Sequence, residues 1–188
     1  MKASVTRAAE GFDRRSFTVK EVLRMQEAGI ISDDENFELI EGEIVPMQAK
    51  THAHELIKSA LGISLGRALP EKLWLGFEST MYLSKNTFVE PDLVIYPRGI
   101  ELEQVKGADI VLAIEVALTS LAYDRGLKAQ LYARHDVREL WVIDAKERRT
   151  YVHTGPKAGA WTHIVERGPE DSLTCAALPQ FSLKLGSI

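Results

Sequence analysis

A single cysteine, Cys175, stands in the 188 residues, so no intrachain disulfide can form and the chain suits a reducing compartment. No apolar run approaches the ~20 residues that a membrane span requires. Residues 1–16 (MKASVTRAAEGFDRRS) lack the continuous apolar core of a signal peptide. The expectation is a cytoplasmic protein with no membrane segment and a flexible tail over residues 1–16. Basic charge is not in excess either: 23 Lys and Arg face 27 Asp and Glu, a net −4, so no global positive field attracts polyanions. Any phosphate contact has to come from a local patch. A Walker loop, a dinucleotide fingerprint, a zinc-spaced Cys/His set and a Ser nucleophile elbow are all missing, which removes the chemistries those motifs serve.

What is present is an ordinary soluble composition, 45% hydrophobic and 27% charged. The length suits one domain, expected over residues 17–188, with no internal repeat or linker. Thr18 and Glu21 form a capping box that starts a helix, Phe17 and Val22 can staple it, and Gly29 stops it. FELIEGEIVPM (37–47) reads as two strands around a Glu41-Gly42 turn, with Pro46 marking an edge. Residues 51–68 form a second helix, with His54, Ile57, Leu61 and Ala68 near one face and Glu55, Lys58 and Ser59 on another. Residues 73–84 and 87–96 read as two strands joined at Lys85-Asn86. Residues 109–117 read as a central strand covered on both faces, 121–134 as a helix, and 139–144, 150–153 and 161–166 as strands. Gly155–Gly159 reads as a surface turn, Trp74, Trp141 and Trp161 as core, and Phe181 and Leu183 as anchors of the C-terminal segment. The economical architecture is one α/β domain.

Within that pattern two carboxylates stand in apolar runs: Asp92 in VEPDLVIYP and Glu115 in DIVLAIEVALTS. Burying an ionised carboxylate is costly unless a positive group meets it. Strand alternation puts Asp92 with Val94 and Glu115 with Val111 and Ala113, so neighbouring strands would bring both carboxylates to one face. Two such charges repel, and a divalent cation removes the conflict. Mg²⁺ suits the pair, since it takes one or two carboxylates and keeps waters for a phosphate substrate. Alternatively, each carboxylate caps a loop or pairs with an arginine. Lys128 lies four residues after Asp124 and four before Tyr132, beside Leu127 and Leu131, at the margin of an apolar helix face. It could orient or deprotonate an attacking water, or be a solvated partner of Asp124. His54 faces inward and could bond a metal water or a phosphate, or be a satisfied core histidine. Glu43 alternates with Val45 and Met47 and so is expected to point inward, whereas Glu38 and Glu41 read equally well as surface charges.

These residues resemble a known family. Proline followed by Asp92, then Glu115 on a following strand and a helical lysine, looks like the PD-(D/E)XK nuclease superfamily. The segments FELIEGEIVPM, VEPDLVIYP, IEV, SLAYDRGLKAQLYARHDVRELWVID and LPQFSL, in that order, resemble the bacterial Uma family of restriction-endonuclease-like proteins over most of residues 37–185. The resemblance implies a restriction-endonuclease-like core, a central mixed sheet flanked by helices, with metal ligation by Asp92 and Glu115. In the wider superfamily the lysine usually follows the glutamate by two residues; here that position is Ala117, and Lys128 fills the helical place used in the Uma-like pattern. Relatives tend to carry Ser, Asp or Pro after the glutamate, where this chain has Ala117-Leu118-Thr119.

The expected function is Mg²⁺-dependent hydrolysis of DNA phosphodiester bonds, with Mn²⁺ as a possible substitute. Asp92, Glu115 and the Val116 carbonyl would hold the metal, Lys128 would manage the water, and His54 and Glu43 would lie close by. Lys58, Arg125 and Arg134 would form a DNA-contacting rim, joined by Arg138. A homodimer would allow one cut per strand. Two other readings are carried: a nuclease-fold module that binds nucleic acid or protein without cutting, and a phosphodiesterase acting on a small nucleotide.

Overall fold

The computed structural model describes residues 15–32, 34–47 and 50–188. The expected tail over 1–16 falls almost wholly outside these. The chain packs as two compact units, Met1–Gln48 with Tyr82–Val89 and Ala49–Met81 with Glu90–Ile188.

In the first unit, α1 (Val19–Glu27) begins at the capping box: Thr18 Oγ1 accepts from the Glu21 N–H, and Glu21 Oε2 accepts from the Thr18 N–H at 2.9 Å. Its Val22 is fully buried among Ile31, Phe37, Leu39 and Phe88, with Phe17 packed beside them. Strands β1 (Phe37–Ile40) and β2 (Glu43–Pro46) pair antiparallel through a turn in which Glu41 and Gly42 both have positive φ (51° and 87°). That is the backbone a two-residue hairpin needs, and the reason a glycine stands second in it. The sheet order is β2-β1-β5-β4, with β4 at Met81–Ser84 and β5 at Thr87–Val89. Strand β2 is the edge, as Pro46 predicts, and β1 is covered on both faces. Consequently Glu43 on β2 is exposed, against the inward side chain expected of it, and Glu38 on β1, for which the sequence left both readings open, is buried.

The second unit holds helix α2 (His52–Ala68) and a six-stranded sheet in the order β10-β9-β8-β7-β6-β3. Its strands are β3 (Leu73–Phe77), β6 (Leu93–Pro97), β7 (Leu112–Ala117), β8 (Glu139–Asp144), β9 (Arg149–Lys157) and β10 (Ala160–Arg167). Only β7 and β8 run parallel, joined by the helical segment between them, so the sheet is mixed as expected. Ile57, Leu61 and Leu65 of α2 pack on Leu93, Ile95, Leu112, Ile114, Trp141 and Ile143. The same core takes Leu178 and Phe181 of the closing hairpin, β11 (Leu173–Cys175) and β12 (Leu178–Leu183), with the Phe181 ring 5.7 Å from that of Trp141. Strand β7 is buried along its whole length, in keeping with a central covered strand.

Three local expectations need correction. The two long strands expected over 73–84 and 87–96 are each broken, at Glu78–Thr80 and at Glu90–Asp92, and their halves belong to different sheets. Pro91 lacks the N–H that a continuous ladder would use, and Glu78 turns the chain with φ +47°. The expected turn at Gly155–Gly159 is mostly strand: β9 continues to Lys157 and turns on Ala158 and Gly159, both at positive φ. Trp74 is 45% exposed rather than core, and the Arg98 guanidinium lies 4.1 Å over its ring. Among the described residues no helix is long and apolar enough to cross a membrane.

Candidate active site

The site forms where β6 and β7 meet. They are antiparallel neighbours, with Leu93 opposite Ile114, so Asp92 at the lip of β6 comes level with Glu115 inside β7. The bend at Glu90–Asp92 takes Asp92 out of the ladder and lets its side chain turn back to the next strand. Its Oδ2 accepts the Val116 N–H at 2.7 Å. Both carboxylates are buried, at 7% and 5% exposure, as two charges in apolar strands must be if the strands are central.

Each carboxylate has a basic neighbour. The Lys128 Nζ lies 2.8 Å from Glu115 Oε1, and both side chains are buried. The Tyr132 hydroxyl donates to the same oxygen at 2.5 Å, from a ring that is fully buried. Lys128 and Tyr132 are four residues apart, so one helix face presents both. Lys128 is therefore not a solvated surface lysine. The helix that delivers it is not uniform: α3 (Leu121–Tyr123) runs into a π-helical turn, Asp124–Lys128, and then into α4 (Ala129–Arg134). The Ala129 N–H reaches back five residues to the Asp124 carbonyl. A π turn inserts extra arc and shifts the phase of every residue beyond it. Lys128 is buried at 4% while its neighbour Leu127, about 100° round the helix, is 44% exposed.

On the other side, His54 Nε2 lies 2.9 Å from Asp92 Oδ1 and its Nδ1 lies 3.1 Å from Glu55 Oε1. Thr51 caps α2 and fixes this first turn, accepting the His54 N–H. Burial disfavours the imidazolium, but the hydrogen bonds and charges of Asp92 and Glu55 outweigh it and raise the His54 pKa above its usual 6.5. Lys58, one helical turn on, is also buried, and meets Glu55 Oε1 at 2.8 Å and the Glu78 carboxylate. Lys50 Nζ meets the second oxygen of Glu78 at 2.6 Å. Burial works against both charges here too, yet the Lys58 pKa is raised by Glu55 and Glu78, and that of Glu78 lowered by Lys50 and Lys58.

The structure thus brings together Asp92, Glu115, Lys128 and His54 with the Val116 backbone. Lys58, read as a solvent-facing rim residue, instead belongs to the buried face of α2, because it follows His54 by one turn. Arg125 is exposed, its guanidinium 3.5 Å over the Tyr151 ring, and Arg134 is exposed as well. Arg138, also exposed, donates to the Ala108 carbonyl at 3.0 Å. Glu43 belongs to the first unit, on its exposed edge strand. Sequence reasoning misses Tyr132, Glu55 and Glu78. The spacing of Tyr132 from Lys128 is a signal for it, whereas nothing local marks Glu78.

Two carboxylates from adjacent strands suit Mg²⁺, which keeps much of its water shell. Among the described residues no group of three or more His, Cys, Asp or Glu is arranged to hold a metal ion as a closed cage.

Comparison with known proteins bears on the family and the fold. A family model, Uma2, described as "Putative restriction endonuclease", matches residues 19–186. The fold is similar to that of "a putative nuclease belonging to DUF820" from Anabaena variabilis ATCC 29413, with a TM-score of 0.71 at 15% identity, over 90% of this chain and 96% of that one. At that identity the likeness is one of fold. No curated protein matches.

Proposed function

Because the chain belongs to the Uma2 family, described as putative restriction endonucleases, we propose that it is a nuclease that cleaves DNA phosphodiester bonds with Mg²⁺, or with Mn²⁺ in its place. The observation that carries the reading is the buried Lys128 ammonium 2.8 Å from Glu115, with Asp92 level on the neighbouring strand. A buried lysine fed from a helix into a pair of acidic strands is costly to build for stability alone.

Asp92 and Glu115 would hold the metal, with the Val116 carbonyl beside them. When bound, Mg²⁺ supplies a polarised phosphate and a water of lowered pKa. Lys128 contributes a fixed positive donor that orients the attacking water and offsets negative charge growing on the phosphate. Tyr132 holds Glu115 in place through its hydroxyl, and His54 holds Asp92. Arg125 and Arg134 are exposed cations that would meet the DNA backbone, while Lys58 lies against Glu55 and Glu78. Two symmetric copies would place one such site on each strand of a duplex.

Nicking of supercoiled plasmid with Mg²⁺ or Mn²⁺ tests this directly. The parent is expected to nick, and Asp92→Ala and Lys128→Ala to lose at least about 100-fold, in line with removal of a major electrostatic stabiliser. Salt-sensitive DNA binding without nicking would instead identify a binding module. Hydrolysis of a small phosphodiester without DNA binding would identify a nucleotide phosphodiesterase.

A further inference from the structure

We propose that Glu78 is a positioning residue that fixes Asp92 from two directions, by its backbone directly and by its side chain through Lys58, Glu55 and His54. The inference rests on the reading of Asp92 as a working carboxylate of the site.

Glu78 has φ +47°, a left-handed conformation that is uncommon for a residue with a side chain. Such backbone persists only where its surroundings impose it, and it gathers at functional sites. Here the imposition is visible. The Glu78 N–H donates to the Asp92 carbonyl at 3.2 Å, just beyond the last β3–β6 pair, Phe77 with Leu93. The backbone that turns at Glu78 therefore clamps the bend that carries Asp92.

The side chain acts over a longer route. Glu78 holds Lys58, whose side chain is only 10% exposed. Lys58 reaches Glu55 Oε1 at 2.8 Å, and the same oxygen meets His54 Nδ1 at 3.1 Å. His54 Nε2 then reaches Asp92 Oδ1 at 2.9 Å. Charges alternate along the whole chain: carboxylate, ammonium, carboxylate, imidazole, carboxylate. Both ring nitrogens of His54 face carboxylate oxygens, so the ring is held from both edges. Glu55 is shared between Lys58 and His54, and Glu78 is the second anion that keeps Lys58 from turning wholly onto Glu55. Without Glu78, Lys58 competes for the oxygen that orients the imidazole, and Asp92 loses its outer brace. An ordinary surface ion pair would add little. Here the Lys58 end is buried and Glu78 is half-buried, and both routes end on the same aspartate.

Glu78→Gln keeps the size and backbone of the residue and removes the charge. In full-length protein labelled with ¹⁵N-histidine and free of metal and DNA, the His54 ring resonances are identified by their loss in His54→Asn. Glu78→Gln is expected to shift them. It should also weaken Mn²⁺ binding about tenfold, the scale at which outer contacts of a metal ligand act. The double variant should bind Mn²⁺ no more weakly than His54→Asn alone, because the two changes break one route. Unchanged His54 resonances in Glu78→Gln, or losses in Mn²⁺ affinity that add in the double variant, would overturn the inference. If the parent neither binds Mn²⁺ nor nicks DNA while Glu78→Gln still shifts His54, the nuclease reading falls and the Glu78–His54 coupling stands.

Discussion

Glu139 shows how differently two buried glutamates of one sheet are treated. Glu115 has an ammonium and a phenol against one oxygen, whereas Glu139, at the start of β8, has the Trp141 indole N–H at 2.6 Å and the Cys175 thiol at 3.6 Å. Burial pushes the Glu139 carboxyl above its ordinary 4.5, and the two weak partners only partly oppose this. The neighbouring thiol is pushed up to about 12 by burial and by Glu139, so Cys175 is an inert core group. A carboxyl whose folded pKa is raised contributes stability that is complete below its unfolded pKa and fades as pH rises through the folded value. Glu139→Gln, which cannot ionise, should therefore melt higher than the parent at pH 7 and lose that advantage as pH falls below about 4.5, the ordinary carboxylate value. Melting curves from pH 4 to 8 measure it. Asp92, Glu115 and Lys128 stand out in the sequence because each sets a charge in or beside an apolar run. Glu139 does not, since it opens its strand and looks like a terminal surface charge. Glu78 is invisible for a related reason: its significance lies in a backbone angle and in partners 20 residues away in sequence, which no local pattern records.

At the scale of elements, what can be read is whatever local chemistry dictates. The capping box of α1, the turn at Glu41-Gly42 and the edge proline of β2 all occur where the residues require them. The π turn cannot be read, because periodicity assumes a uniform helix, and a single inserted residue alters every assignment after it. Gly126 sits in that turn at an ordinary φ, and a Cβ added there would meet nothing within 4 Å. The glycine is thus not demanded by geometry. Gly126→Ala should raise stability by about 0.5–1 kcal/mol by restricting the unfolded chain, with nicking unchanged. Denaturant titration and the plasmid assay together check it. A stabilised variant that no longer nicks would mean that alanine had driven the turn back to plain α-helix and displaced Lys128.

For the whole molecule, the order of short segments is enough to identify the family, and the family implies a mixed sheet with helices. The strand order is not legible. Two continuous-looking strands divide between two sheets, and that division depends on partners distant in sequence. Net charge bears on the substrate. At −4 the molecule as a whole does not attract DNA, so the proposed contact depends on individual exposed cations. DNA binding should weaken steeply between about 50 and 200 mM salt, the behaviour of a phosphate-contacting surface. Arg125→Ala and Arg134→Ala should each lower the slope of log K against log salt by about 1, with similar losses on unrelated sequences. A slope unchanged in both variants would place the DNA elsewhere on the surface.

The helical position of Lys128 has a consequence for how the site comes into being. On a strand, two residues beyond the glutamate, a lysine would join its carboxylates as soon as the sheet formed. From the helix it meets Glu115 only when that helix docks, with Tyr132 at the same time. A sheet formed without the helix would leave Glu115 in the covered strand β7 with neither the ammonium nor the phenol against it, a costly burial. Docking supplies both partners at once. The lysine is thus a fastener, and the proposed ability to cut would be acquired in the same packing event that brings it to Glu115. A chain caught before that event would be harmless to the nucleic acid around it.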